Sequence, residues 1–300
     1  MSPYLALCQM LETRLSRSSL TWFKQSTLEI VDGAGNKRFS LLLSMASRHA
    51  RDKQALAPTA EELQAAQEIL AGWNLERWTL LEALRVALVL GRSDLGDEEG
   101  ALSIEDAFAY ADEGEQRALY RSLALMPEAE RFLWRAGEGC RTNMVSVFEA
   151  NVLDTPYPAT HFDAVAFNQA AIKCVFVGAP LWRLWGLDTR LSADLSHLAL
   201  DLADERRSAG RSIHGDLWLC LGSFHGERAL GALELELSSD TTDDYGLSMA
   251  LFGLQRAGHS ERLLALANDP SFAAKGPRRK ALEAALAGDD VYSFCRAIHS

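Results

Sequence analysis

Apolar residues recur along this chain mostly at helical spacing. Over residues 4–15 they fall at Leu5, Leu7, Cys8 and Leu11, which predicts a first helix. Thr59-x-x-Glu62 reads as a capping box ahead of Leu63, Ala66, Ile69, Leu70 and Trp73, because its hydroxyl and carboxylate each take a backbone N–H that the first turn leaves unpaired. Residues 78–90 are apolar on most sides, which predicts an internal helix. Runs of alternating Val, Ile, Thr and aromatic residues are missing while Ala and Leu dominate, so strands are not expected. Beyond Trp218 the pattern predicts short helices over 227–237, 243–257, 260–267, 277–287 and 291–298. The fold class that follows is all-α: a single continuous, irregular stack of helical hairpins, α-solenoid or HEAT-like, without a fixed repeat length.

The centre of the chain is more polar than its helices explain. Thr142 is placed to cap a helix through Val145, Phe148 and Val152, and Pro156-Tyr157-Pro158 is expected to end it, since proline removes a donor and restrains its predecessor. That puts Arg141 at a helix end and Tyr157 in a stiff turn. The next helix, over 162–177, is apolar on nearly every face, so Asn168, Gln169 and Lys173 stand out, the last two four apart on one side. Gly178-Ala179-Pro180 breaks it. A further helix over 189–209 sets Leu191, Leu195, Leu198 and Leu202 against a polar stripe of Asp194, His197, Asp201 and Glu205.

The length of 300 residues exceeds what one ordinary core needs. Residues 94–115 hold nine acidic side chains, and their glycines suggest loops around one short helix. This is the expected boundary between an N-terminal helical region, 1–115, and a helical core, 116–300. A net charge of -11 argues against a protein that tracks a nucleic-acid backbone. The basic group Lys275, Arg278, Arg279 and Lys280 opens an apparent helix and reads as a solvated face. The five scattered cysteines form no C-x-x-C pair, so neither a disulfide framework nor a zinc ribbon is suggested. No run approaches the roughly 18–20 apolar residues of a membrane span, and the start Met1-Ser2-Pro3-Tyr4 shows no secretory signal. A cytoplasmic location is expected.

Charged and amide side chains in apolar segments must be paired or bound to something. The candidate ligand-binding set is Arg141, Asn143, Tyr157, Asn168, Gln169, Lys173, Asp188, Arg190, Asp201, Glu205, Arg206 and Arg211. Three readings stay open. In the first, the arginines offer planar forks to a carboxylate or phosphate of a small polar intermediate, anionic or cyclitol-like, with Asn168, Gln169 and Tyr157 orienting it. In the second, Asp201, Glu205 and Lys173 are acid/base groups of an enzyme, their pKa values moved toward neutrality by burial. In the third, the charges are ion-pair staples between helices. A Mg²⁺ or diphosphate-linked carboxylate site on the polar stripe is weighed and set aside in favour of solvation or ion pairing, and no cofactor is assigned. His214 and His225 read as surface histidines, and Trp182 and Trp185 as core packing or pocket lining. No G-x-S-x-G, P-loop, H-E-x-x-H or strand-linked G-x-G-x-x-G occurs.

Phe167-Asn168-Gln169 with Lys173, Gly186-Leu187-Asp188-x-Arg190, Glu205-Arg206-x-x-Ala-Gly-Arg211 and Leu217-Trp218 resemble the EboA family of bacterial proteins. The resemblance covers about residues 141–224. Ser192 stands where the family pattern has Asn, and Ser212 and His214 where it has prolines. Genes of this family sit in clusters with a prenyltransferase-like membrane protein, a dehydroquinate-synthase-like enzyme and sugar-isomerase-like and hydrolase-like proteins. The resemblance therefore implies a place in a secondary-metabolite biosynthesis or traffic pathway, with a small pathway intermediate and other proteins of the cluster as partners.

Overall fold

The computed structural model describes residues 1–269, 272 and 276–299, without the side chains of 276 and 277. Its regular elements are α- and 3₁₀-helices, and the one bridge among the described residues joins Ala55 to Thr79. The all-α expectation holds. No described helix is long and apolar enough to cross a membrane. The chain forms two compact units, Met1–Asp163 and Ala164–Ser300.

The first unit holds α1 (Pro3–Arg14), α2 (Arg17–Val31), α3 (Asn36–Met45), α4 (Ala60–Ile69), α5 (Leu80–Leu90), α6 (Glu98–Tyr110), α7 (Glu113–Ser122), α8 (Leu133–Arg141), α9 (Val145–Val152) and α10 (Tyr157–His161). Helix α5 is its hub: α1, α2 and α7 all pack on it, and Leu80 through Val89 are buried without interruption. A helix apolar all round has no solvent face to offer, so its neighbours surround it. Such packing departs from the neighbour-only contacts of a helical-hairpin array. The hub carries one deeply buried carboxylate, Glu82. It caps its own helix by accepting Thr79 N–H at 2.7 Å, and it accepts from Arg117 at 2.7 Å and Arg121 at 3.0 Å. The capping box at Thr59 and Glu62 forms as expected.

The acidic stretch differs from its sequence reading. It is helical over α6 and into α7, and the expected division after residue 115 lies inside α7. Gly100 is there for space: a Cβ would lie 2.0 Å from the Asp94 carbonyl oxygen. Thr142 shapes the turn before α9 by accepting Met144 N–H at 3.2 Å, while the cap itself is Met144. Helix α9 ends at Val152, ahead of the prolines; Asp154 turns the chain at φ 58, and Pro158 helps to open α10. A fixed φ and a missing N–H suit a first turn as well as they suit a stop.

The second unit holds α11 (Ala164–Val177), α12 (Ala193–Ser208), α13 (Gly226–Leu237), α14 (Asp244–Arg256), α15 (Ser260–Ala267), α16 (Gly276–Ala287) and α17 (Val291–His299), with 3₁₀ turns at Leu181–Arg183, Asp188–Arg190 and Gly215–Cys220. Helix α14 is buried from Gly246 through Leu254 and packs on α13, α16 and the Gly215–Cys220 turn. Gly178, at φ +75, ends α11 as expected. Helix α12 starts four residues later than expected, because Ser192 caps it by accepting Leu195 N–H at 3.1 Å. Its buried face is Leu195, Ser196, Ala199, Leu200 and Ala203, which leaves Leu198 exposed. Of the expected basic group, Lys275 lies outside the described residues, and Arg278, Arg279 and Lys280 sit in the first turns of α16.

Candidate functional site

The predicted polar positions divide between the two units. Arg141 ends α8, exposed, and pairs with Glu138 at 2.5 Å; Asn143 beside it is also exposed. Tyr157 is only 1% exposed and donates to the Ala129 carbonyl at 2.7 Å. Burial, aided by Glu130, pushes its hydroxyl well above the usual range, so it ties α10 to the turn before α8 as a permanent donor. Where a stiff turn was expected, Tyr157 opens α10 and is a core contact.

In the second unit Asn168 is buried in α11, Gln169 is exposed and Lys173 half-buried. Arg190 lies over the Phe167 ring, 4.7 Å from its centroid. Asp188 is a staple: it accepts Arg256 at 2.5 Å and the Tyr292 hydroxyl at 2.7 Å. Asp201 is held in the same way, by Arg228 at 2.7 Å, with His197 Nε2 at 3.3 Å. The hydrogen bond from Arg228 lowers its pKa, opposite to the shift toward neutrality that an acid/base role would need. Glu205 is exposed and 3.5 Å from Arg211. Among the described residues no group of three or more His, Cys, Asp or Glu is placed to hold a metal ion.

Of the predicted set, Arg206 and Arg211 border a hollow of about 720 Å³. It lies within the second unit, where the last turns of α11, α12 and α13 and the first turn of α14 meet. The chain leaves three helices here, and loops at helix ends carry the polar groups. Arg206 donates from Nε to the Ser212 carbonyl at 2.6 Å, shaping the 209–215 loop. Arg207 donates to the Ala232 carbonyl at 2.7 Å and lies over the Trp218 ring at 5.7 Å. Glu236, buried, accepts from Arg207 at 3.4 Å and from the Thr242 hydroxyl at 2.8 Å. Asp243 caps α14 through Gly246 N–H at 2.7 Å. Arg211 is well exposed, and its 3.5 Å contact with Glu205 is at the limit of a hydrogen bond.

The charges here nearly cancel. Three guanidiniums face two carboxylates, while three helix C-termini each contribute roughly half a negative elementary charge and one N-terminus half a positive one. Donors and acceptors are both plentiful, with the hydroxyls of Ser212, Ser239, Thr241 and Thr242 on the lining. Tyr245 also borders the hollow and donates to the fully buried Asp216, whose Oδ2 has no hydrogen-bond partner among the described residues. Burial first, then the charge of Asp216, pushes the Tyr245 hydroxyl far above its ordinary range. Asp216 N–H in turn donates to His214 Nδ1 at 3.3 Å. The sequence reading did not mark Arg207, Glu236, Thr242 or Tyr245. Arg207 sits at an unassigned position inside the motif that marked Arg206 and Arg211; Glu236 and Tyr245 lie on helices read as generic packing, and Thr242 in the loop between them.

Neither the curated proteins nor the solved structures compared with the chain contain a match. The family model described as metabolite traffic protein EboA matches residues 4–222, well beyond the central segment that carried the resemblance. The match takes in the first unit's helices from Tyr4 onward, together with the α11, α12 and 211–215 sides of the hollow. With nearly three quarters of its length matched, the chain belongs to the EboA family.

Proposed function

We propose that this protein binds a small polyhydroxylated, cyclitol-like metabolite carrying at most one negative charge, and that it does so in the α11–α14 hollow as a non-catalytic carrier or scaffold of its pathway. The observation that carries the reading is the balance of the lining: guanidiniums, carboxylates, hydroxyls and helix-end carbonyls surround one space of about 720 Å³, a volume suited to a small metabolite. A polyol uses donors and acceptors together, whereas a polyanion gains little where the net charge is close to zero. The family's description as a metabolite traffic protein supports the same direction.

Of the predicted set, Arg206 and Arg211 are assigned to the ligand, Asp188 to a staple with Arg256 and Tyr292, and Asp201 to an exposed pair with Arg228. The test is a thermal-shift series with myo-inositol, quinate and inositol hexakisphosphate on the wild type and the Arg206→Gln/Arg211→Gln variant. The neutral and monoanionic cyclitols should raise the melting temperature of the wild type and not of the variant, since a ligand bound by the native state alone stabilises it. Stabilisation by the polyphosphate alone would move the reading to a polyanion site. No stabilisation by any of the three would remove it.

A further inference from the structure

The hollow has an apolar side that a free polyol would leave bare. Phe176 and Leu235 both line it, and they are 65% and 58% exposed. Single exposed apolar residues are ordinary on a protein surface. These two come from different helices, α11 and α13, and border the same space, where Val175, Val177 and Ile213 continue the apolar lining. Helix α11 shows how Phe176 comes to be there. Its buried face is Phe167, Asn168, Ala170, Ala171, Cys174 and Val175, so an outward Phe176 serves none of that packing.

We infer that the metabolite is an amphiphile: a hydroxylated head among Arg206, Arg211 and the Ser/Thr hydroxyls, with an attached apolar segment that covers Phe176 and Leu235. This inference rests on the polyol reading of the same hollow and adds the second half of the ligand. Covering about 55 Å² of apolar surface gives about a tenfold gain in affinity, which is less than the area of one aromatic side chain. An apolar segment laid on both residues therefore strengthens binding by at least about tenfold.

The test compares methyl quinate with octyl quinate, below the micelle concentration of the latter, by isothermal titration of the full chain. The two share one head and differ in the apolar chain. The octyl ester is expected to bind at least about tenfold more tightly, and the Phe176→Ser/Leu235→Ser variant to lose that gain while keeping its affinity for the methyl ester. Equal affinities, or a gain that survives in the variant, overturn the amphiphile and leave the polyol reading standing. Failure of both esters to bind removes the polyol reading and the inference with it. A third arm separates a free amphiphile from a membrane: co-sedimentation with phosphatidylcholine vesicles should be negligible. Vesicle binding that the double variant abolishes would reassign the apolar side to a membrane surface and overturn the inference.

Discussion

Replacing Glu82 by Gln should destabilise the first unit by about 3 kcal/mol, the lower end of the range for breaking a buried ion pair from one side. Glu82 is 2% exposed and accepts three N–H groups on Oε1, two from Arg117 at 3.0 and 2.7 Å and one from Arg121 at 3.0 Å. Glutamine fills the same space but keeps one acceptor oxygen where Glu82 uses two, so if it still caps α5 through Thr79 N–H its NH2 group faces the arginine donors. The variant thus removes the charge and the acceptor that Arg117 and Arg121 share, and leaves the buried Arg121, 5.2 Å over the Trp78 ring, without a counter-ion at this site. At roughly 2–4 °C per kcal/mol for a unit of this size, melting should fall by about 6–12 °C. Tryptophan fluorescence can follow it, since Trp73 and Trp78 are both buried in this unit. The pH dependence gives a second check. Burial raises the Glu82 pKa, but Arg121 and Arg117 outweigh it and hold the group below its ordinary 4.5. A lowered folded pKa contributes stability that is complete above the unfolded value and lost as pH falls through the folded one. The gap between wild type and variant should therefore be constant above about pH 5 and close in stronger acid. A Glu82→Gln protein melting within about 2 °C of wild type at neutral pH, less than 1 kcal/mol, would refute the account of this cluster.

Gly139→Ala should cost about 1–3 kcal/mol by overpacking, because its Cβ would lie 2.6 Å from Tyr120 Cε1 and 2.8 Å from the buried Asn151. The readout is a lower urea midpoint with an unchanged m-value; an unshifted midpoint would mean that α8 and α9 are farther apart than described. Ellman's reagent at pH 8 should label native protein at Cys8 and Cys140 at most, since Cys174, Cys220 and Cys295 are buried and burial raises the Cys220 and Cys295 thiols to about 12. Mapping fast modification to Cys220 by mass spectrometry would contradict its packing. Asp201→Asn should leave both melting temperature and cyclitol binding unchanged within error, because the Arg228 pair is exposed and screened; loss of binding alone would restore Asp201 to the site.

Much of the fold was legible because helix periodicity and helix ends are local properties. The five helices beyond Trp218 begin and end within a residue or so of their expected limits, and Thr59 with Glu62 caps as read. Errors came where two local rules compete. Pro156-Tyr157-Pro158 satisfies a stop and a start equally, and the chain uses it as a start. Gly100 and Gly114 looked like loop residues, yet each stands where a side chain would meet another group, the Asp94 backbone or the Arg85 guanidinium. On α12 the expected apolar stripe ran through Leu198, but the face that packs is Leu195, Ser196, Ala199, Leu200 and Ala203, and Leu198 is exposed.

The site was less legible because a charge in a sequence does not reveal its partner. Asp188 and Asp201 looked as available as Arg211, yet their partners lie 68 and 27 residues further on, at Arg256 and Arg228. Both partners are on helices whose own patterns call only for packing. Arg211 and Arg206 kept their place because the turn after α12 has little else to pair with: Gly210 takes φ +65, Arg206 reaches forward to the Ser212 carbonyl, and Arg211 meets Glu205 only at 3.5 Å. What separates a ligand group from a staple here is the number of donors already used. Arg256 gives N–H groups to the Leu219 and Leu221 carbonyls and to Asp188, so removing it would leave two carbonyls unsatisfied and weaken the fold. Among the described residues Arg211 has one loose contact for its five donors, so its removal leaves the fold nearly as it was and falls on whatever occupies the hollow.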